Sequence, residues 1–327
     1  MKGICLALVM AAVLVGSAAG SSAGGSIDLV AYSTPKDAYG KIISAFQATV
    51  AGNGVSFNQS YAASGDQARA VAGGLPADIV ALSLDPDINY LVQKNIVPKN
   101  WKSANKYHGV VSDSVVVFVV RDGNPKHITG WGDLVKPGIQ VITPNPFTSG
   151  GARWNVMAAY GALRHSGKSD KQAIKYLYKL FHHVPVQPAS ARDALSVFAQ
   201  GKGDVLLTYQ NDAIYAEKKG VHTEYHVPKA TILIETPVAL TKSGLAKPVA
   251  KAFFKFLWSP AAQRAFGDQG YQPVVKSVAK SYRFYRPPGL FTIASKRYGL
   301  NGWPKVNRRF FDPKKGIMAA VERSLGH

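Results

Sequence analysis

The sequence predicts an α/β protein of two domains. Strand-like apolar runs alternate with helical runs along the chain, which is typical of mainly parallel sheets flanked by helices. The 327 residues exceed the roughly 250–300 that one core usually organises. Several strand-like runs end in loops rich in Ser, Gly or Ala that open a helix. In open α/β sheets such loops gather at one edge, where ligands bind.

The elements follow from the spacing of apolar residues. Residues 27–32 predict the first strand, and the helix after it has one apolar face: Tyr39, Ile42, Ile43, Phe46 and Val50. Further strands are predicted near residues 55–59, 77–84, 114–121, 139–143, 204–209 and 230–235. After Lys247 we expect mainly helices, with Trp303-Pro304 ending a turn. One later stripe has helical spacing and is assigned to the core: Phe253, Phe254, Leu257 and Trp258.

Residues 1–23 have the three regions of a secretory signal. Lys2 precedes an apolar run at residues 4–15, and small residues follow it. We expect cleavage after Ala19 or Ala23 and a mature protein outside the cytoplasm. The single cysteine, Cys5, lies inside this signal. The mature chain therefore has neither disulfides nor thiol chemistry.

The formal net charge of +20 is spread along the whole chain. Neither a basic arm nor zinc-finger spacing nor an aromatic-basic RNA motif accompanies it, so we expect no nucleic-acid partner. A positive field does attract small anions and raises their encounter rate with the protein. A basic surface exposed to solvent is the preferred interpretation of this charge, and an acidic extracytoplasmic environment is an alternative cause.

One glycine-bearing loop, residues 145–154 (NPFTSGGARW), lies between a short apolar strand and an amphipathic helix. The first backbone N–H groups of a helix have no intrahelical partner and carry the positive end of its dipole. Ser149, Gly150 and Gly151 stand at this position, and two residues without side chains let an anion approach the backbone closely. Ser33 and Ser64 also follow predicted strands, and Ser190-Ala191-Arg192 opens a fourth helix. Four such loops favour one shared site.

Catalytic and metal-binding patterns are not found in the sequence. His182 and His183 are adjacent and diverge on a helix, and no HExxH, CxxC or GxSxG spacing occurs. Asp85 and Asp87 flank Pro86 in a predicted turn, where we expect them to cap. We therefore assign no catalytic residue, metal or cofactor. An extracytoplasmic enzyme acting on sulfate or phosphate esters is therefore a weaker interpretation than a protein that binds an anion without catalysis.

The run at 145–154 resembles the signature NPKTSGGARW of bacterial periplasmic sulfate-binding proteins. The similarity extends over the mature chain, through residues 64–71, 77–80, 203–206, 282–284 and 291–293. The resemblance implies a two-lobe type II periplasmic binding protein, monomeric, that serves the membrane subunits of an ABC importer. Its lobes, each a mainly parallel sheet flanked by helices, would close over a dehydrated sulfate. We place one lobe at residues 26–113 plus 238–327 and the other at 114–237, with crossovers at 114–121 and 230–235.

The resemblance also implies the ligand contacts. Backbone N–H groups would bind the anion from five residues: Ser33, Ser64, Gly150, Gly151 and Ala191. The Ser149 hydroxyl would add a donor, and Tyr209 stands where the family has a tryptophan indole. The resemblance also implies roles in supporting these donors for Gly65, Arg69 and Arg153. The guanidiniums of the two arginines would donate hydrogen bonds to loop carbonyls. Asp66 is expected to cap its helix or to face solvent.

Three further departures from the family pattern are Ser33 for aspartate, Phe147 for lysine and Ser190 for glycine. Sulfate accepts hydrogen bonds only, whereas phosphate keeps a proton that a pocket of donors leaves unpaired, at a cost of about 1–3 kcal/mol. A phenol oxygen can accept as well as donate, so Tyr209 predicts weaker rejection of protonated oxyanions than an indole gives. Thiosulfate is a second candidate ligand. A molybdate or tungstate receptor is the alternative binding function.

Overall fold

The computed structural model describes residues 24–326, so the predicted signal lies outside the described residues. Ten strands form the sheets of this part of the chain: β1 (Ser26–Tyr32), β2 (Ser56–Ala62), β3 (Ile79–Ala81), β4 (Val110–Arg121), β5 (Val141–Ile142), β6 (Val205–Tyr209), β7 (Thr223–His226), β8 (Ala230–Leu240), β9 (Gln272–Pro273) and β10 (Gly289–Phe291).

Thirteen α-helices of the described chain surround these strands: α1 (Lys36–Gln47), α2 (Ser64–Ala72), α3 (Asp85–Gln93), α4 (Gly150–His165), α5 (Asp170–His182), α6 (Ala191–Ala199), α7 (Gln210–Lys218), α8 (Lys242–Ala246), α9 (Pro248–Phe256), α10 (Pro260–Asp268), α11 (Lys276–Ala279), α12 (Trp303–Phe310) and α13 (Ile317–Ser324). Short 3₁₀ turns occupy Trp101–Ala104, Trp131–Val135 and Lys296–Tyr298. Within residues 24–326, none of the helices has the length and apolar character needed to cross a bilayer.

The strands run in the order β2-β1-β3-β8-β4-β6-β5. Parallel pairing joins β1 to β2 and β3 on one side and β5 to β6 on the other, and the short β10 also pairs parallel with β8. Every antiparallel pair of the described chain includes β4 or β8. The alternation of strand and helix thus produces parallel pairing in two separate regions, and two long strands connect them.

These two strands run side by side between the regions. β8 pairs with β3 through residues 238–240 and with β4 through residues 233–237. β4 pairs with β8 through residues 110–115 and then with β6 through residues 116–120. Both predicted crossover segments, 114–121 and 230–235, fall within these strands.

The buried core divides in the same way. One cluster packs β1, α1, α9 and α10 around Ile27, Phe46 and Phe253, and a second packs β3 on α2 and α3. The largest cluster packs α4 and α5 on β4, β6 and β8, and a further one lies under α6 and α7. The stripe residues Phe253, Phe254 and Leu257 are buried as predicted, and Trp258 is partly buried.

The C-terminal segment packs differently from its predicted place in the first lobe. From β10 to α13 its apolar residues join the cluster of α4 and α5. The Trp303 ring packs edge-on against the Trp154 ring, with 4.7 Å between the ring centroids. The Phe310 ring packs in the same way against Tyr160, with 4.9 Å between centroids. Position in the chain does not decide packing here, because the buried face of α12 matches an apolar face of α4.

Two local predictions were wrong. Val50 is fully exposed rather than on the buried face of α1, because that helix ends at Gln47 and later residues no longer follow its period. Trp303 begins α12 instead of ending a turn. Pro304 lies in the first turn of this helix, where its missing N–H costs no hydrogen bond.

Candidate functional site

Three helices begin at the predicted loops, and their first residues are buried. α2 begins at Ser64, α4 at Gly150 and α6 at Ala191. No residue of the described chain accepts a hydrogen bond from the backbone N–H of Ser64, Gly150, Gly151 or Ala191. These are the N–H groups that a helix leaves unpaired at its start. Four buried donors are therefore available to a ligand.

Backbone contacts between the loops hold these helix starts together. The Gly65 N–H of α2 donates to the Thr148 carbonyl at 2.9 Å. The Thr148 hydroxyl in turn donates to the Ala189 carbonyl at 2.7 Å, just before α6. Ser149 caps α4, since its oxygen accepts from the Ala152 N–H, and its own hydroxyl proton is left to donate. Gly65, predicted as a supporting residue, thus joins two of the three helix starts.

Gly150 and Gly151 lie at close approaches that leave no room for a side chain. A β-carbon at Gly150 would lie 2.5 Å from the Ser83 Cβ, and one at Gly151 would lie 2.9 Å from the Tyr209 ring and 3.3 Å from the Ala191 Cβ. The structure therefore brings Gly151, Ala191 and Tyr209 together. It also seats the start of α4 on the loop that follows β3.

Ser83 is a residue of this cluster that the sequence analysis missed. Its hydroxyl shares a 2.7 Å hydrogen bond with the Tyr209 hydroxyl. Its N–H donates to the Ser64 hydroxyl at 2.9 Å, and its carbonyl accepts from the Trp154 indole N–H at 3.0 Å. The available signal was its position after β3, which corresponds to that of Ser33 after β1.

Tyr209 is 1% exposed and lies between the end of β6 and the start of α7. Burial raises the pKa of its phenol well above the usual value, and the nearby phenol of Tyr32 adds to the rise. Its ring lies 6.0 Å from the Tyr32 ring, centroid to centroid. Tyr209 is therefore a neutral hydroxyl at any physiological pH, with both donor and acceptor capacity.

Asp87 was predicted to cap its helix, but its side chain makes no capping hydrogen bond. The Ser64 hydroxyl donates to its carboxylate at 2.6 Å, and the Arg153 guanidinium lies 3.9 Å away. Burial raises the pKa of this carboxyl, while Arg153 and the Ser64 hydrogen bond oppose the rise. Because the Ser64 hydroxyl proton is committed to Asp87, only the Ser64 backbone N–H remains free for a ligand.

The two predicted supporting arginines differ in their surroundings. Arg153 is mostly buried and its Nε donates to the Pro146 carbonyl at 2.9 Å, inside the glycine-bearing loop. Arg69 is half exposed and forms an ion pair with Asp66 of the same helix turn, rather than bonding a loop carbonyl. The Asp66 side chain is likewise partly exposed to solvent.

Arg192 was named only as part of a helix start, and its side-chain contacts were not predicted. Its guanidinium donates to the Thr34 carbonyl at 2.8 Å and lies 3.3 Å from the Asp212 carboxylate, which is fully buried. Burial raises the pKa of Asp212, and Arg192 opposes that rise. Ser33 precedes Thr34 in the loop after β1 and is partly buried. Arg192 thus connects the Ser33 loop to the start of α6.

The candidate site offers hydrogen-bond donors: four backbone N–H groups, the Ser149 hydroxyl and the Tyr209 phenol. Residues 24–326 contain no group of three or more His, Cys, Asp or Glu side chains that could hold a metal ion. Donors fixed at helix starts and shielded from water stabilise an anion that only accepts hydrogen bonds. The arrangement therefore suits an unprotonated oxyanion.

Comparisons with known proteins agree with this chemistry. A family profile described as bacterial extracellular solute-binding protein matches residues 27–272. A sulfate-binding protein of Synechococcus elongatus is 39% identical over 325 residues, which cover 93% of this chain and 91% of that protein. A thiosulfate-binding protein of Pseudomonas aeruginosa is 32% identical over a region that covers 95% of this chain and 96% of that protein. The solved structure of the sulfate-binding protein SubI from Mycobacterium tuberculosis has a TM-score of 0.84 and 42% identity, covering 88% of this chain and all of that one.

Proposed function

We propose that this chain, which belongs to the bacterial extracellular solute-binding proteins, captures sulfate in the periplasm and delivers it to the membrane subunits of an ABC importer. One observation supports the proposal: four backbone N–H groups at the buried starts of α2, α4 and α6 have no acceptor among the described residues, and Tyr209 lies beside Gly151 and bonds Ser83. Thiosulfate is the second candidate ligand, because a relative of similar coverage is named for it. The protein acts as a monomer.

We assign the ligand contacts to the backbone N–H groups of five residues, the Ser149 hydroxyl and the Tyr209 phenol. The five are Ser33, Ser64, Gly150, Gly151 and Ala191. The burial of the last four and the free state of their amides support this assignment. Gly65 and Arg153 support it indirectly, since each bonds a carbonyl of the loop at residues 145–151.

Closure over the ligand would bring two lobes together across this site. We place the first lobe at residues 26–113 plus 238–327 and the second at residues 114–237. Within residues 238–327, the segment from β10 to α13 packs on the second lobe. A ligand that contacts both lobes binds the closed form better and so shifts the population toward it. The closed surface is the one that the importer would recognise.

Selectivity depends on the shared hydrogen bond between Ser83 and Tyr209. When Ser83 donates, the Tyr209 proton is free for sulfate; when Tyr209 donates, its oxygen can accept from a protonated oxyanion. The phenol therefore rejects phosphate less strongly than an indole would. Calorimetric titration of phosphate and arsenate into wild type and Tyr209→Trp tests this. Equal rejection by both proteins would contradict it.

The decisive experiment is calorimetry of sulfate binding to the mature protein, followed by competition with thiosulfate and molybdate. Gly150→Asp should abolish binding, because its β-carbon displaces the loop of Ser83 and its carboxylate places a fixed negative charge among the donors. If molybdate binds more tightly than sulfate in this competition, the alternative function as a molybdate or tungstate receptor is correct. Turnover of sulfate or phosphate esters by the purified protein would instead support the enzymatic alternative.

A further inference from the structure

A groove of 560 Å³ lies between α1 and α7, outside the amide site. α1 contributes two lysines and one aspartate to its lining, and the end of α7 contributes a tyrosine and a lysine, followed by another lysine. These residues are Lys36, Asp37, Lys41, Tyr215, Lys218 and Lys219. α1 and α7 belong to different core clusters, so the groove crosses between the two halves of the protein.

The positive charge of this groove is not neutralised by ion pairs. Its four lysines face one lining carboxylate, that of Asp37. Within residues 24–326, none of these lysines has a carboxylate within 4.0 Å. Lys218 bonds a main-chain oxygen of Asp268, and Lys219 lies 5.5 Å from the Tyr215 ring. The groove therefore presents exposed ammonium groups to solvent.

The groove leads toward the amide site through Tyr215. On the Tyr215 ring lies the Arg192 guanidinium, 3.5 Å from the ring centroid. Arg192 also bonds the carbonyl of Thr34 and follows Ala191, a proposed donor. A solvated anion in the groove is thus separated from the helix starts by Tyr215 and Arg192.

We infer that this groove is an encounter site, which holds solvated sulfate or thiosulfate weakly before the anion enters the amide site. The inference rests on the proposed function. Exposed lysines interact with a dianion through a field that salt screens over about 8 Å at physiological ionic strength, so they concentrate the anion without stripping its water. The effect falls on the association rate constant and its salt dependence, and not on dissociation from the closed form.

Stopped-flow measurement of sulfate association at increasing NaCl concentration tests the inference. The groove variant carries Lys36→Gln, Lys41→Gln, Lys218→Gln and Lys219→Gln. A control variant removes the same charge from exposed lysines on and beside α5, which line no part of the groove: Lys168→Gln, Lys171→Gln, Lys175→Gln and Lys179→Gln. At low salt the groove variant should associate about 10-fold more slowly than wild type, with a flatter salt dependence and unchanged dissociation. The control should retain most of the wild-type rate.

Equal slowing in both variants, or wild-type kinetics in the groove variant, would overturn the inference. Two double variants are measured as well: Lys36→Gln with Lys41→Gln, and Lys218→Gln with Lys219→Gln. Each should change the logarithm of the association rate constant by roughly half as much as the fourfold variant does. They decide the question if the fourfold variant fails to fold. Failure of the proposed function is seen separately, as an absence of sulfate binding by the wild type in calorimetry.

Discussion

Gly150→Ala tests whether close approach at the start of α4 is needed for ligand binding. The new β-carbon would lie 2.5 Å from both the Cβ and the Oγ of Ser83. Carbon atoms in contact prefer about 3.5–4.0 Å, so the loop after β3 and the start of α4 must move apart by about 1 Å. Ser64 is bonded to Ser83 and moves with it, which separates its N–H from that of Gly150.

The expected loss follows from the hydrogen bonds that this movement stretches. A hydrogen bond to a charged group contributes about 1.5–3 kcal/mol, and each 1.4 kcal/mol is about tenfold in affinity. Loss of one such bond predicts about 10- to 100-fold weaker sulfate binding, and loss of two predicts about 100- to 10,000-fold. Stability without ligand should fall by less than the free energy of binding does, because the two sides can separate when no ligand joins them.

Calorimetry with sulfate and thermal unfolding without ligand measure the two quantities. The matched control is Gly132→Ala, where an added β-carbon meets no atom within 4 Å. Its affinity should equal that of the wild type. Wild-type affinity in Gly150→Ala would refute the reasoning, as would a loss of stability that accounts for the whole loss of binding.

Three further changes test the buried charges. Asp87→Ala should lower the free energy of unfolding by about 1–3 kcal/mol in denaturant titration, because it leaves the buried Ser64 hydroxyl without its acceptor; an unchanged midpoint would argue against this hydrogen bond. Arg192→Lys should lower the melting temperature, since an ammonium cannot stack on the Tyr215 ring as the planar guanidinium does, 3.5 Å from the ring centroid; a melting temperature equal to wild type contradicts that. Burial and Glu235 raise the pKa of Asp113 from 3.8 to about 7, so the folded state keeps the proton longer than the unfolded state and loses stability as pH rises from about 4 to 7. Asp113→Asn should flatten the stability profile in that window and be the more stable protein at pH 8, and parallel profiles would contradict the assigned pKa.

The fold was predictable where apolar periodicity is strong. β1 was predicted at residues 27–32 and spans Ser26–Tyr32, and the two-lobe fold class is confirmed by the structural similarity to a sulfate-binding protein. β3 is shorter than its apolar run at 77–84, because the residues after Ala81 leave the ladder to reach the site. β9 and β10 were not predicted, since two or three residues give no periodicity and their partners lie on β4 and β8.

The site was predictable only in part. Helix starts can be read from local sequence, and so the loops at Ser64, Ser149 and Ala191 were found. Ser83 and the side-chain contacts of Arg192 were missed because these contacts are made with residues 126 and 158 positions away, Tyr209 and Thr34. No local pattern reports such pairs. The packing of α12 on α4 was missed for the same reason.

The hydrogen bond between Trp154 and the Ser83 carbonyl gives the protein an intrinsic optical reporter. The indole is 1% exposed, and its N–H is satisfied by a loop from the other half of the protein. If the halves separate, the N–H loses this acceptor and the ring meets water, which changes its emission. Trp303 contacts the same ring and also lies in the C-terminal packing. Tryptophan fluorescence should therefore report the proposed opening and closing of the lobes in the unlabelled protein.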